Sequence, residues 1–347
     1  MVSGGWESMQ QARAAAGSLA AFSFLTLLLT GLTFCASPVW ADVLREHDSA
    51  LGRDLGLPIY KWSDPAAPPK ALVVAVHGLV MHGASFDALA NQLVGQGFLV
   101  VAPDLRGYGR WLSGDGVRPA EPAVRYRKSQ EDLVRLVQQL QLEYRGLPVF
   151  WIGESMGADL AMRVASTHPG LADGLVLSSP AIKGRNFFLI RAFAHGGHCA
   201  ANPFRQIDLT PVIKRCASED PRVVQGILDD PLSRKHLSPW ELLLSNQFVR
   251  ASRHYIKSIP PTTPVLIIQG SADRTLKANA VVLLIARLKS VDQTVCWFPD
   301  RGHVLLETSY LQPDAARTVE DWLIQRLRWR MEYESARDSS EQPVQMD

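Results

Sequence analysis

The sequence predicts an α/β protein: a mainly parallel sheet with helices on both faces and a helical cap inserted between two of its strands. Two observations carry this. Short, almost wholly apolar runs alternate along the chain with longer stretches whose apolar residues recur at helical spacing, the pattern of strands buried on both faces and joined by crossover helices. That alternation lapses between Pro180 and Pro264, too long a stretch for an unstructured loop in a compact domain, so the gap predicts an insertion with structure of its own.

Strands are expected over "ALVVAV" (71–76), "FLVVAP" (98–103), "LPVFWI" (147–152), "GLVLSS" (174–179), "PVLIIQ" (264–269) and "QTVCWF" (293–298). A weaker candidate, "LPIYKW" (57–62), precedes them across the turn-rich "SDPAAPPK". Helical spacing covers 85–94, 130–144, 158–168, 275–289 and 314–330. Residues 42–180 and 260–331 then form the core and 181–259 the cap. Residues 332–347, where the apolar period is lost, read as a flexible tail.

With 47% apolar and 20% charged residues the chain can bury a large core and is not a disordered protein. Its 36 Lys and Arg nearly balance 34 Asp and Glu without a long basic run, which argues against nucleic acid as a partner. From Ala14 to Ala41 no residue is charged, and Arg13 and Asp42 bracket the run. Residues 1–41 therefore read as a signal peptide cut after "VWA", giving a secreted or periplasmic protein. The run is also long enough to span a bilayer core of about 30 Å, so an anchor that keeps the protein at a membrane is the alternative. After cleavage Cys199, Cys216 and Cys296 would remain, the first two flanking one segment that they could close as a disulfide. No Cys and His spacing matches a zinc site.

The chemistry centres on "VFWIGESMGADLA", 149–161. Ser155 lies in a Gly-x-Ser-x-Gly pattern between an expected strand and an expected helix, where a sharp turn would lift its hydroxyl above the sheet. Gly153 and Gly157 leave room for that turn; the competing reading is a pair of packing glycines beside an idle hydroxyl. A serine needs a base, and the base needs an orienting acid. Asp273 in "IIQGSADR" and His303 in "FPDRGHVLLE" follow later strands in the right order, although Asp273 could instead cap a helix and His303 be a surface residue. Asp300 is the fallback acid. Oxyanion donors are expected from the N–H of Met156 and from Leu79 in "VHGLVMHG", with His77 and His82 shaping that loop.

The order Ser155, Asp273, His303 behind "HG" resembles the α/β-hydrolase fold. The fragments "VHGLVMHGASFDALANQL", "VVAPDLRGYGR", "LPVFWIGESMGADLAMRVA", "LVLSSPAI", "PVLIIQGSADR" and "DRGHVLLET" are similar to the monoacylglycerol lipase and lysophospholipase group, the serine aminopeptidase-like hydrolases. They span Val76 to about Trp322. Two positions depart from the group: Glu154 stands where a histidine is usual, and Trp111 where a small serine is common.

The resemblance implies hydrolysis of carboxylic esters of lipid or other small molecules through an acyl-enzyme, with no cofactor and no metal. Glu154, His82, Phe187 and Phe188 are the candidate substrate-binding residues. The cap runs "AIKGRNFFLIRAFAHGG" and "SPWELLLSNQF" carry enough apolar surface to line an acyl pocket, or equally to pack the cap onto the sheet. Two rival readings remain at this stage: a peptidase or amidase on the same fold, and a non-catalytic binding protein that retains it. Oligomeric state is not legible.

Overall fold

The computed structural model describes residues 43–183, 202–277 and 279–340. The uncharged N-terminal run, Phe187, Phe188 and Cys199 lie outside the described residues.

Eight strands form one sheet: β1 (Leu44–Glu46), β2 (Ile59–Ser63), β3 (Ala71–Val76), β4 (Phe98–Pro103), β5 (Val149–Glu154), β6 (Gly174–Ser178), β9 (Val265–Gly270) and β10 (Gln293–Phe298). Their spatial order is β1-β2-β4-β3-β5-β6-β9-β10. The two pairs made by β2 are antiparallel and the rest are parallel. Every residue of β3, β4, β5, β6 and β9 is buried, which is why these strands read as unbroken apolar runs.

Alternate side chains serve opposite faces. Leu72, Val74, Trp151 and Ile267 enter one core with helices α3 (Tyr126–Glu143) and α4 (Met156–Thr167). Val73, Ala75, Phe150, Ile152 and Ile268 enter the other with α2 (Asp87–Val94) and α9 (Pro313–Ser340). Chain order reverses direction at β3, so the neighbouring carboxyl ends of β3 and β5 open a crevice of the kind in which open α/β sheets bind ligands.

Between β6 and β9 the described cap comprises a two-stranded ribbon of β7 (Ile207–Asp208) and β8 (His236–Leu237), with helices α5 (Thr210–Cys216), α6 (Pro221–Asp229) and α7 (Pro239–Ser252). Helix α7 opens on a capping box in which the Ser238 hydroxyl and Glu241 carboxylate satisfy each other's backbone N–H.

Two expectations need correction, and one strand had no expectation. The tail is not structureless from residue 332, because α9 continues to Ser340. The helix expected over 275–289 is only α8 (Asn279–Ile285), because the Asp273 carboxylate takes the N–H groups of Thr275 and Leu276 and holds that stretch as a turn. Finally, Leu44–Glu46 forms an edge strand on β2 that has no apolar run to announce it. Among the described residues no helix is long and apolar enough to cross a membrane.

Candidate active site

Ser155 sits between β5 and α4 with φ 54° and ψ −117°, a backbone conformation that costs a non-glycine residue energy and persists only when its surroundings enforce it. They do so through the flanking glycines. A Cβ on Gly153 would lie 2.5 Å from the Ala158 nitrogen. One on Gly157 would lie 1.9 Å from the Val76 carbonyl oxygen, so α4 can press onto the end of β3 only without side chains there.

His303 reaches Ser155 from the loop after β10: its Nε2 is 2.9 Å from the Ser155 Oγ. Its Nδ1 donates to Asp273 Oδ2 at 2.8 Å, which fixes the tautomer that leaves Nε2 free to accept a proton. The loop is itself held. Ala217 of the cap accepts the N–H of His303 and of Val304, and the Ser179 hydroxyl donates to the His303 carbonyl.

Asp273, just past β9, is buried and accepts from Gln269 Nε2 and from the N–H of Thr275 and Leu276 as well as from His303. Burial favours its neutral form, but the charge of His303 and these hydrogen bonds outweigh burial and hold its pKa down at about 2. For His303, burial lowers the pKa, while the charge of Asp273, its hydrogen bond and the charge of Glu154 raise it further, leaving a net rise above the usual imidazole value. Asp300, the fallback acid, uses its N–H on Ser271 Oγ instead, and it is Asp273 that holds the ring.

Both expected oxyanion donors border the same cavity as Ser155 and His303. Among the described residues, neither the Leu79 nor the Met156 N–H donates to a protein acceptor. The loop bearing Leu79 is under strain: Val80, a β-branched residue, has φ 79°, and the N–H of Arg234 from the cap pins its carbonyl at 2.7 Å. His77 shapes this loop as expected. It is wholly buried, with Nδ1–H on the Gly78 carbonyl and Nε2 accepting from the Leu105 N–H, and burial pulls its pKa down to about 4.

The cavity measures ≈ 220 Å³, with core residues such as Leu79, Met156 and Leu276 on one side and apolar cap residues, among them Val212, Ile213, Leu242 and Val249, on the other. Helical geometry decides which residues of "SPWELLLSNQF" take part. Leu242, Asn246 and Val249 share one face of α7 and line the cavity. Trp240 and Leu243 are more than 40% exposed on the other side.

Two residues expected at the substrate are placed differently. His82 does not line the cavity; its Nε2 pairs with Asp230 Oδ2 of the cap at 2.6 Å. Glu154 borders the cavity but is 1% exposed, with its carboxylate hydrogen-bonded to the Ser178 hydroxyl and to the N–H groups of Leu305, Leu306 and Glu307. Strand parity explains this: Glu154 points to the same face as Phe150 and Ile152, which pack in one core with Leu305 and Leu306. Sequence reasoning missed Glu307, which is buried, lines the cavity and accepts the Gly78 N–H on Oε1 at 2.6 Å. Its one signal was a lone carboxylate closing the apolar run Val304–Leu306. No cluster that could ligate a metal occurs among the described residues.

Chemically, a strained serine facing a tautomer-locked histidine and two backbone donors can attack a carbonyl and stabilise the oxyanion that results.

Known proteins resemble this chain. A family model described as "Serine aminopeptidase, S33" matches residues 67–308. The monoglyceride lipase of Homo sapiens is 28% identical over 264 residues, covering 76% of this chain and 85% of that protein. The monoacylglycerol lipase of Mycolicibacterium smegmatis is 25% identical, covering 78% and 93% respectively. The crystal structure of Paleococcus ferrophilus monoacylglycerol lipase aligns with a TM-score of 0.63 at 25% identity, covering 78% of this chain and 99% of its own.

Proposed function

The chain belongs to the serine aminopeptidase, S33 family and is a carboxylic ester hydrolase with the α/β-hydrolase fold; we propose that it cleaves lipid esters of the monoacylglycerol or lysophospholipid type, with Ser155 as nucleophile. The observation that carries this is the 2.9 Å contact between Ser155 Oγ and His303 Nε2 at the floor of an apolar cavity. In this reading His303 takes the serine proton as Ser155 attacks the ester carbonyl. The N–H groups of Leu79 and Met156 receive the developing oxyanion, and Asp273 keeps the imidazole oriented and stabilises its cation. His303 then protonates the leaving alcohol. A water that passes its proton to His303 attacks the acyl-enzyme and releases the acid.

The family description invites an aminopeptidase reading. An aminopeptidase needs an ionised carboxylate to receive the substrate ammonium group. Among the described residues the carboxyl groups bordering this cavity are Glu154, occupied by backbone donors, and Glu307, whose pKa burial and the Glu154 charge push well up. This favours a neutral ester. The chain's monoglyceride lipase relatives and the apolar cap wall support the same choice.

The test is a hydrolysis panel of p-nitrophenyl esters of rising acyl length, monoacylglycerols, lysophospholipids and aminoacyl amides. The expected result is ester hydrolysis that rises with acyl length and then falls, with amides barely cleaved. Preferred cleavage of aminoacyl amides would overturn it.

A further inference from the structure

Two buried carboxyl groups stand behind Ser155 that the proton transfer does not use. Glu154, at the end of β5, accepts from Ser178 Oγ and from three successive N–H groups just after His303. Glu307 belongs to that same loop and reaches across to the N–H of Gly78, the residue before the proposed oxyanion donor Leu79. Gly78 is clamped on all sides: a Cβ there would lie 3.2 Å from Ser155 Cβ and 3.3 Å from both the Glu154 carbonyl oxygen and Glu307 Oε2.

We propose that Glu154 and Glu307 form a positioning pair, Glu154 fixing the His303 loop to the nucleophile strand and Glu307 fixing the peptide that aims the Leu79 N–H into the cavity. This rests on the roles assigned above to Ser155, His303 and Leu79. A hydrogen bond to the Gly78 N–H restricts rotation of the backbone on either side of that residue, so the direction of the next N–H follows from it. Without that bond, Leu79 could still border the cavity yet miss the place where charge develops, and such misalignment costs rate more than substrate binding.

The surroundings of the two groups offset burial to different extents. Two buried carboxyls close enough for the charge of one to act on the other do not both ionise readily. Burial raises the pKa of Glu154, and the hydrogen bonds from Ser178, Leu305 and Glu307 and the charge of His303 oppose that rise. Glu307 has one donor, and burial together with the Glu154 charge raises its pKa well above the usual range, which favours its neutral form. Among the described residues, the charged groups acting on His303 are Asp273 and Glu154, and Glu154 acts on Glu307. Glu154 therefore also helps to raise the pKa of His303, whereas Glu307 does not.

The experiment measures kcat and KM for p-nitrophenyl butyrate across the pH range in the full chain, for wild type, Glu307→Met, Glu307→Gln, Glu154→Gln and Ser155→Ala, with thermal unfolding recorded for each. Inhibition by a trifluoromethyl ketone, which forms an oxyanion at the site, is measured alongside. Glu307→Met should lose about 100-fold in kcat, the usual effect of one misplaced oxyanion donor. Its KM should stay within about 3-fold, and its affinity for the ketone should fall with the rate. Glu307→Gln, which keeps an oxygen for the Gly78 N–H, should recover most of that loss. Glu154→Gln should move the acid limb of kcat/KM to lower pH, and Glu307→Gln should leave it in place. Equal losses in the Met and Gln variants, unchanged ketone affinity in Glu307→Met, or an acid limb moved by Glu307→Gln would each overturn the proposal. Hydrolysis that survives Ser155→Ala would overturn the reading of the site itself, and this inference with it.

Discussion

Gly157 and Val76 meet so closely that a Cβ on the glycine would stand 1.9 Å from the valine carbonyl oxygen. The contact joins the helix after Ser155 to the strand before the loop of Leu79, so it sets the distance between the proposed nucleophile and one of its oxyanion donors. Gly157→Ala must push α4 off β3. We expect it to lose about 1–3 kcal/mol of stability, the usual cost of overpacking, and to react more slowly with a fluorophosphonate. Urea unfolding and labelling rates measure the two effects.

The pH dependence follows from His303. Only the neutral imidazole can take the serine proton, and the pKa of His303 is raised above its ordinary 6.5. Activity should therefore be full at alkaline pH and fall as pH drops through that raised value. Asp273→Asn removes the charge responsible for much of the rise, so the acid limb should move to lower pH. Loss of the correct tautomer should also cut kcat by on the order of 10⁴. A pH profile of kcat/KM for both proteins checks the direction.

Arg234 ties the cap to the core. Its guanidinium is buried and donates to the carbonyls of Gly107 and Pro122 and to Glu241, while its N–H holds Val80 in its strained conformation. Arg234→Ala strands the nearly buried Glu241 carboxylate. It should cost about 3–5 kcal/mol in urea unfolding.

Acyl selectivity should sit in the cap wall. Val212 lines the cavity from α5. Val212→Phe should lower kcat/KM for long acyl esters by about 10-fold or more while leaving acetyl esters little changed, since each methylene in such a pocket is worth about 1–3 kcal/mol. A chain-length series on the two proteins reads this directly.

Much of this site could be read from the sequence because its parts stand at strand ends. Ser155 and Asp273 follow fully buried strands and His303 follows the partly exposed edge strand β10, all three written as apolar runs, so the order of runs gives their positions on the sheet. What escaped notice depended on contacts distant in sequence. Glu307 has meaning only because Gly78 is across the loop from it. The place of His82 outside the cavity is set by Asp230, a cap residue far from it in sequence. Edge strand β1 is held by pairing with β2 and has no apolar pattern of its own. In the short helix α8, the Asp273 carboxylate overrides helical spacing.

In the function proposed above, Ser155, activated by His303, carries the hydrolysis. The most direct measurement is steady-state hydrolysis of a p-nitrophenyl ester by wild type and Ser155→Ala, with fluorophosphonate labelling and peptide mapping on both. The label should map to Ser155, Ser155→Ala should take up none, and its kcat should fall by on the order of 10⁶. Wild-type hydrolysis by Ser155→Ala, or a label on another residue, would contradict it.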